Sequence, residues 1–432
     1  MLRTLLTLAG PLVIASYLQN AYRAQDEWFV AGLGGADQGA LGAVAMLMFP
    51  VYASFFAAAA GAGPLVARAH GRGQPGEARA WVGASLAAAA GLSLLWALAG
   101  AAAPVLAGLG GVPASLMPLA TPYLRWTLLT GAGMVVAPTL DAIFVALGDG
   151  RRPMLLQGLY VGLYALLGGA GAAWWGLPGL AVASNLAQAV AVAAGLALLR
   201  RRVGLGLCDL RQGWRTLAVL RLGAPMALAD MAHGLAFPLL IRTSVGPLGD
   251  AAVGGLGLGA GVIELLGYPV YAALRAAVGS GVGQASGAGD RSAVRAWIRL
   301  ATRTGLGVGA VGAALFLGAG RPLAEAFAAS PEIAAVATSY ALVLGLAQPL
   351  EALQVIWGGA LAGTGATRTL LAIDLIGGAV RVSVAWYLAG PAGLGMVGVW
   401  WGFNAATIAL VAMKGAALRG RGWVDAARRV GG

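Results

Sequence analysis

Long apolar segments follow one another along the whole chain, separated by short breaks rich in glycine, proline or arginine. An α-helix rises 1.5 Å per residue, so each segment is long enough to cross the hydrocarbon core of a bilayer, which is about 30 Å thick. The pattern predicts an all-α membrane protein with twelve transmembrane helices. The predicted helices lie near residues 4–31, 40–68, 80–106, 115–147, 153–175, 177–199, 216–243, 251–283, 294–319, 333–362, 369–389 and 394–417.

The first apolar segment carries more polar residues than a lipid-facing helix tolerates, because a charge near the bilayer centre costs about 2.5 to 3.5 kcal/mol. On a helical wheel the polar positions fall within about 120° of one another, and the opposite face is apolar. These positions are Ser16, Gln19, Asn20, Arg23, Asp26 and Glu27. We therefore expect one side of the helix to face a polar substrate cavity lined by Gln19, Asn20 and Tyr22. Pro11 removes a backbone hydrogen bond and predicts a bend in this helix.

Composition and charge narrow the class of protein. Hydrophobic residues make up 59% and charged residues 10% of the 432 positions, which is too apolar for a soluble protein. The net charge of +12 comes from arginines clustered in alternate loops, so we interpret it as membrane topology and expect no nucleic-acid partner. The positive-inside bias predicts a multi-pass protein of the bacterial inner membrane with both termini in the cytoplasm.

The scarcity of reactive side chains argues against an enzyme. The sequence contains one cysteine, Cys208, and two histidines, His70 and His233. Neither a disulfide, a cysteine-based metal site nor a hydrolytic triad can be built from these residues. We therefore expect no enzymatic activity, no resident metal and no cofactor other than a coupling ion.

The chain repeats itself after about half its length. The segment GRGQPGEARAW at 71–81 is echoed by GAGDRSAVRAW at 287–297, and FPVYA at 49–53 recurs as YPVYA at 268–272. The sequence therefore predicts two six-helix halves, an N-lobe of residues 1–205 and a C-lobe of residues 206–432. Such repeats are typical of transporters, which bind their substrate between or within the halves.

Several motifs in this order resemble the multidrug and toxic compound extrusion (MATE) transporters. They are the helix from Pro11 that ends in DEWFVAGLG at 26–34, the paired glycine and arginine loops after helices 2 and 8, and the Gly-x-Gly loops after helices 4 and 10. The resemblance implies a V-shaped pair of six-helix lobes that alternates access across the membrane. It also implies export of cationic, amphipathic small molecules in exchange for H⁺ or Na⁺.

The resemblance assigns Asp26 to an ion-coupling site in the N-lobe and Asn185 to a polar position near it. One turn after Asn185, where some members carry a second acid, this sequence has Ala189. Helix 5 departs as well, because Gln157, Tyr160 and Tyr164 stand where asparagines are common. We place these three residues in the substrate cavity. A complete Na⁺ cage of oxygen ligands is not expected, so H⁺ is the favoured ion and Na⁺ at Asp26 the alternative.

For Asp26 the residues alone leave two interpretations open. Arg23 precedes Asp26 by three positions and Glu27 by four, so it can pair with either carboxylate. We favour Arg23 with Glu27, which leaves Asp26 to take up and release a proton. Asn185 either hydrogen-bonds Asp26 or, like its repeat partner Asn404, serves helix packing.

The second half adds further candidates. Asp230 and His233 share one face of helix 7 and are assigned to the substrate cavity, as a proton relay, a hydrogen-bonded pair or a solvated wall. Glu264 lies deep in helix 8 without a partner within one turn, and it is the second candidate ion-coupling residue. Asp374 and Arg381 on helix 11 are expected to form structural ion pairs with neighbouring helices.

Two other functions remain open from the sequence. A lipid-linked oligosaccharide flippase of the same superfamily would favour a strongly cationic cavity, whereas the predicted spans carry an excess of acids. A membrane scaffold or receptor that transports nothing is compatible with hydropathy but leaves the embedded acids and the repeat unexplained. The expected partners are cationic small molecules and the lipid bilayer, with the chain as a monomer.

Overall fold

The computed structural model describes residues 1–31, 33, 35–109, 112, 114–210, 213–328 and 330–420. It does not describe the side chains at 21–24, 27, 31, 35, 36, 38, 39, 42, 45, 46, 49, 50, 52, 53, 207, 208, 230, 232–235, 237 and 250. The predictions for Tyr22, Arg23, Glu27, Asp230 and His233 therefore lie outside the described side chains.

Helices make up nearly all of the described chain. The first half contains α1 (Leu2–Ala31), α2 (Gly35–Gly71), α3 (Pro75–Ala101), α4 (Ala103–Leu109), α5 (Met117–Thr130), α6 (Ala132–Ala146) and α7 (Arg151–Val203). The second half contains α8 (Gly213–Leu240), α9 (Asp250–Gly261), α10 (Tyr268–Gly287), α11 (Arg291–Phe327), α12 (Pro331–Gly345), α13 (Gln348–Thr364), α14 (Thr367–Ala389) and α15 (Gly395–Arg419).

Three of the membrane spans are broken. The helix pairs α5 with α6, α9 with α10, and α12 with α13 are each long and apolar enough to cross a bilayer together, with bends of 46°, 56° and 67°. The 53-residue α7 is itself a hairpin, because Trp175 and Gly176 leave the helical conformation and Gly176 has a φ of 62°. Counted this way, the helices of the described chain match the twelve predicted segments, and the predicted all-α fold is confirmed.

The described chain separates into two compact units. The N-unit comprises Leu6–Ala227 with Gly287–Gly289, and the C-unit comprises Met1–Leu5, Leu228–Ser286 and the described chain from Asp290 onwards. The division near Ala227 falls inside α8, whose first half packs on α2. A Cβ atom at Gly223 would lie 1.8 Å from the carbonyl oxygen of Ala57, so this contact requires glycine. The predicted lobe boundary at residues 205 and 206 stays a prediction.

The core of the C-unit is built around Trp400 on α15, which is fully buried. Its indole ring packs edge-on against Tyr340 at a centroid distance of 5.1 Å, and its Nε1 donates to Ser339 Oγ at 2.8 Å. At the surface, Asp290 caps α11 and accepts hydrogen bonds from the backbone N–H groups of Ala293 and Ser292, both at 2.9 Å. The bond from Ala293 contributes most to the lowered pKa of the Asp290 carboxyl group.

Candidate ion and substrate sites

In the N-unit, the predicted coupling acid contacts the first half of α7, which corresponds to the fifth predicted helix. The hydroxyl of Tyr164, on the first half of α7, donates a hydrogen bond to Asp26 Oδ1 on α1. Tyr164 is fully buried and Asp26 is half-buried. A buried phenol needs a partner, and a carboxylate inside a membrane protein needs a donor or a counter-charge, so each group satisfies the other. The sequence predicted these residues separately, and the fold brings them together.

A row of contacts continues along the same face of α7. Tyr160 stacks on Tyr164 with rings parallel within 4° and centroids 6.2 Å apart, and its hydroxyl lies 3.0 Å from Ser184 Oγ on the second half of α7. Residues spaced by three or four positions share one face of a helix, so Gln157 lies one turn further along the row. Gln157 lines a small cleft of about 10 Å³, room for about one water molecule, together with Asp141 on α6 and Gln188 on α7. We call Tyr164, Tyr160, Ser184 and Gln157 the polar ladder.

Gly168 leaves room for an aromatic ring that packs against Tyr164. A Cβ atom at this position would lie 2.3 Å from Cε2 of Phe29, and the Phe29 ring packs edge-on against Tyr164 at 5.6 Å. Only glycine leaves room for the aromatic ring between α1 and α7.

We expect Gly168→Ala to lower the stability of the purified protein by about 1–3 kcal/mol, because the added methyl group displaces Phe29 and with it Tyr164. Gly162→Ala on the same helix is the matched control, since a Cβ atom there meets nothing within 4 Å. That change should be neutral or slightly stabilising because alanine is the better helix former. Thermal unfolding monitored by tryptophan fluorescence compares the two; equal midpoints would contradict the packing argument.

The remaining predicted residues of the N-unit have separate surroundings. Asn185 donates to Thr130 Oγ1 at 2.6 Å and to the carbonyl oxygen of Thr127 at 3.2 Å, so its described contacts are with α5. Asn20 donates to the carbonyl oxygen of Ser16 at 2.8 Å, and Gln19 is exposed. Pro11 lies inside α1, which continues as one helix. Their assignments to coupling, substrate cavity and bending stay predictions.

In the C-unit, Glu264 lies where a membrane span breaks. It belongs to the short 3₁₀ segment Ile263–Leu266 between α9 and α10, at the 56° bend. Its Oε2 accepts a hydrogen bond from the hydroxyl of Tyr340 on α12 at 2.7 Å. The partner that the sequence left unidentified is therefore a tyrosine of another helix. Both predicted acids, Asp26 and Glu264, accept a bond from a buried tyrosine.

A second polar network connects α13, α14 and α15. Lys414 Nζ lies 3.0 Å from Asp374 Oδ1 and donates to Gln354 Oε1 at 2.8 Å, while Gln354 Nε2 donates to Glu351 Oε1 at 2.8 Å. Thr407 completes the network by donating to Glu351 Oε2 at 2.8 Å. The charges are joined through amide and hydroxyl groups, so each buried charge in the chain of bonds has a polar partner.

The ion pairs expected for the eleventh predicted helix, which is α14 in the structure, differ from those observed. Asp374 pairs with Lys414, as a structural salt bridge to a neighbouring helix. Arg381 forms no ion pair among the described residues; its guanidinium group lies 4.8 Å from the centre of the Phe403 ring, and its Nε lacks a hydrogen-bond partner there. Sequence reasoning missed Lys414, although a signal was present. It is the only lysine among 28 basic residues, and it lies inside a predicted span.

Twelve spans in two repeated halves, each with buried polar groups, define the class as a polytopic membrane transporter. The MatE family model matches residues 11–168 and 235–387. The chain therefore belongs to the MATE family, and the predicted resemblance is confirmed. Since members of this family are transporters, the prediction that the chain is not an enzyme is confirmed as well.

Known relatives and structures agree with this assignment. The chain is 30% identical to the probable multidrug resistance protein NorM of Deinococcus radiodurans, over 94% of this chain and 92% of that protein. It is 31% identical to the protein of the same name from Pseudomonas aeruginosa, over 93% and 86%. The bent form of the Vibrio cholerae MATE transporter VcmN superposes with a TM-score of 0.88 at 19% identity, over 99% of this chain and 97% of that chain.

Proposed function

We propose that this protein is a secondary active exporter of the bacterial inner membrane that expels cationic, amphipathic compounds in exchange for protons. The relatives named as probable multidrug resistance proteins support a role in drug export. The observation that carries the proposal is the Asp26–Tyr164 hydrogen bond, an acid held inside the N-unit by a neutral donor. A carboxylate in apolar surroundings is stable when protonated and ionises when water reaches it, which is the property that proton exchange requires.

We favour proton coupling over sodium coupling because the sequence lacks the second acid and the helix 5 asparagines that some family members carry. Sodium binding in proteins needs several hard oxygen ligands, and a protonated carboxyl group needs only hydrogen-bond partners. The described residues contain no group of three or more acids, histidines or cysteines that would hold a metal ion. Ala189, which stands where some relatives carry a second acid, is exposed. The positive-inside bias of the arginine-rich loops supports the proposed cytoplasmic position of both termini.

The test is transport by the purified full-length chain in liposomes, with ethidium as the cationic probe and calcein as an anionic control. A lumen more acidic than the bath should drive ethidium uptake, and a sodium gradient of equal size at constant pH should not. Sodium-driven uptake would overturn the proton assignment. Movement of calcein instead of ethidium would contradict the substrate class, and absence of flux for both probes under both gradients would contradict the transport function.

A further inference from the structure

Asp141 is an acid in the N-unit that the Asp26 site does not use. It lies on α6, about 8 Å from the end of that helix, at 1.5 Å per residue. Its side chain lines the water-sized cleft of about 10 Å³ with Gln157 and Gln188, and the other lining residues are apolar. Among the described residues, none hydrogen-bonds or forms an ion pair with the Asp141 carboxylate. A carboxylate without a counter-charge inside a membrane protein needs either a proton or access to water.

Two basic residues near this end of the N-unit, Arg152 and Arg202, pair with another acid. Asp149, in the turn after α6, pairs with Arg152 at 3.1 Å and with Arg202 at 2.5 Å. Arg152 also lies over the Phe144 ring, 5.4 Å from its centre. An acid in this turn therefore finds arginine partners, and Asp141, deeper on the same side, does not. Among the described residues, the Asp141 carboxylate therefore has no basic partner, and it lines the cleft.

The other helices that pack on α6 bring no charge into the cleft. The described charged and titratable groups of these helices are Asp37, Arg68 and His70 on α2, Glu77 and Arg79 on α3, Tyr123 and Arg125 on α5, and Arg151, Arg152, Tyr160, Tyr164, Arg200, Arg201 and Arg202 on α7. None of them is a lining residue of the cleft. Asp141 is thus the one titratable group among the lining residues.

Two glycines allow close packing of the helices that border the cleft. A Cβ atom at Gly133 would lie 2.5 Å from Cγ of Gln188, and one at Gly195 would lie 3.0 Å from the Cδ1 atoms of Leu140 and Leu156. These close contacts between α6 and α7 fix Gln188 over α6. The carboxylate and the two carboxamides therefore line a cleft between closely packed helices.

The cleft is continuous with the polar ladder. Asp26 bonds to Tyr164, Tyr164 stacks on Tyr160, Tyr160 contacts Ser184, and Gln157 one turn further lines the cleft with Asp141. Gln157 lies about 9 Å from the start of α7 and Tyr164 about 20 Å from it, at 1.5 Å per residue. Two acids thus stand at opposite ends of one row of polar groups, and Asp141 is at the arginine-rich end.

We propose that Asp141 is a second proton-binding residue of the N-unit, through which protons released by Asp26 leave toward the arginine-rich side. The proposal rests on the proton coupling proposed above. One proton leaves the Asp26 carboxyl group as one binds the Asp141 carboxylate, so the number of protons on the two acids is unchanged by the transfer. The Gln157 and Gln188 amides then act as positioning groups for the neutral acid.

Proton counting on the purified full chain in detergent tests the site directly. A pH-indicator dye in weak buffer reports proton uptake after a jump from about pH 8 to about pH 5.5, a range that includes protein carboxyl groups with raised pKa values. Asp141→Asn should take up about one proton fewer than the wild type, and Asp141→Glu should restore the count. Thr139→Val, a buried hydroxyl of the same helix outside the cleft, is the control and should leave the count unchanged.

Flux in liposomes separates this proposal from the proposed function. If a pH gradient drives ethidium uptake by the wild type, Asp141→Asn should reduce that uptake about tenfold while ethidium binding is retained, and Asp141→Glu should recover it. Full uptake by Asp141→Asn, or an unchanged proton count, would overturn the role of Asp141. Displacement of its proton by added Na⁺ would assign the cleft to a metal cation. Absence of pH-driven flux in the wild type refutes the proposed function, and the proton count still tests Asp141.

Discussion

Replacing Asp26 with asparagine should uncouple transport from the proton gradient. Asparagine keeps the oxygen that accepts the Tyr164 hydrogen bond, so the contact between α1 and α7 is preserved, but it cannot bind and release a proton. We expect pH-driven ethidium flux to fall about tenfold or more, because coupling free energies of 1–3 kcal/mol correspond to roughly 5- to 150-fold effects. Uptake by reconstituted protein under an imposed pH gradient gives the measurement.

Tyr164→Phe is the companion variant for Asp26. It removes the hydroxyl donor and keeps the aromatic ring that packs on Phe29 and Tyr160. We expect it to shift the pH dependence of flux without abolishing it, because Asp26 still titrates without its described donor. Coupled flux at the wild-type level in Asp26→Asn would assign the coupling step to another acid, with Glu264 as the next residue to replace.

Replacing Lys414 with methionine should cause the largest loss of stability in the C-unit. Lys414 is 4% exposed and holds both Asp374 and Gln354, so methionine leaves a carboxylate and an amide oxygen without their donor. Removal of one partner from a buried ion pair costs about 3–5 kcal/mol. We expect the thermal unfolding midpoint of the purified protein to fall accordingly.

Two control variants test whether the loss of stability comes from leaving a buried charge without its partner. The double variant Lys414→Met with Asp374→Leu should recover most of the loss, because the Asp374 carboxylate is then no longer left without its lysine. Arg321→Met breaks the pair with Glu325, whose side chains are 72% and 54% exposed, and should leave the midpoint nearly unchanged. A double variant as unstable as Lys414→Met alone would show that the lysine stabilises through other contacts.

Much of the architecture follows from the sequence because hydropathy and repetition are local or additive signals. Twelve apolar segments of sufficient length predict twelve helices, since a bilayer leaves helices as the structure that satisfies the backbone of each apolar segment internally. The polar stripe on the first helix predicted a polar interior face and identified Asp26, and the resemblance pointed to Tyr164 on the fifth predicted helix. Glu264 was identified because an unpaired carboxylate deep in a predicted membrane span is energetically costly.

Hydropathy and repetition do not predict which residues of different helices contact each other. Spacing relates residues of one helix to each other, whereas the partner of a buried group depends on which helices pack together and at which height. The sequence therefore left Asn185 between Asp26 and a packing role, and only the fold directs its amide to Thr130. For the same reason, the sequence did not predict the Lys414–Asp374 ion pair, whose members lie on different helices.

The sequence by itself determined the membrane class, the number of spans, the repeat and the acids that need compensation, because each depends on composition and periodicity. The tertiary structure decided which donor each acid receives: Tyr164 for Asp26, Tyr340 for Glu264 and Lys414 for Asp374. It also decided that Asp141 receives none among the described residues and lines a cleft instead. The physical reason is that compensation of a buried charge takes place over a few ångströms in space, between residues that the chain brings together only when its helices pack.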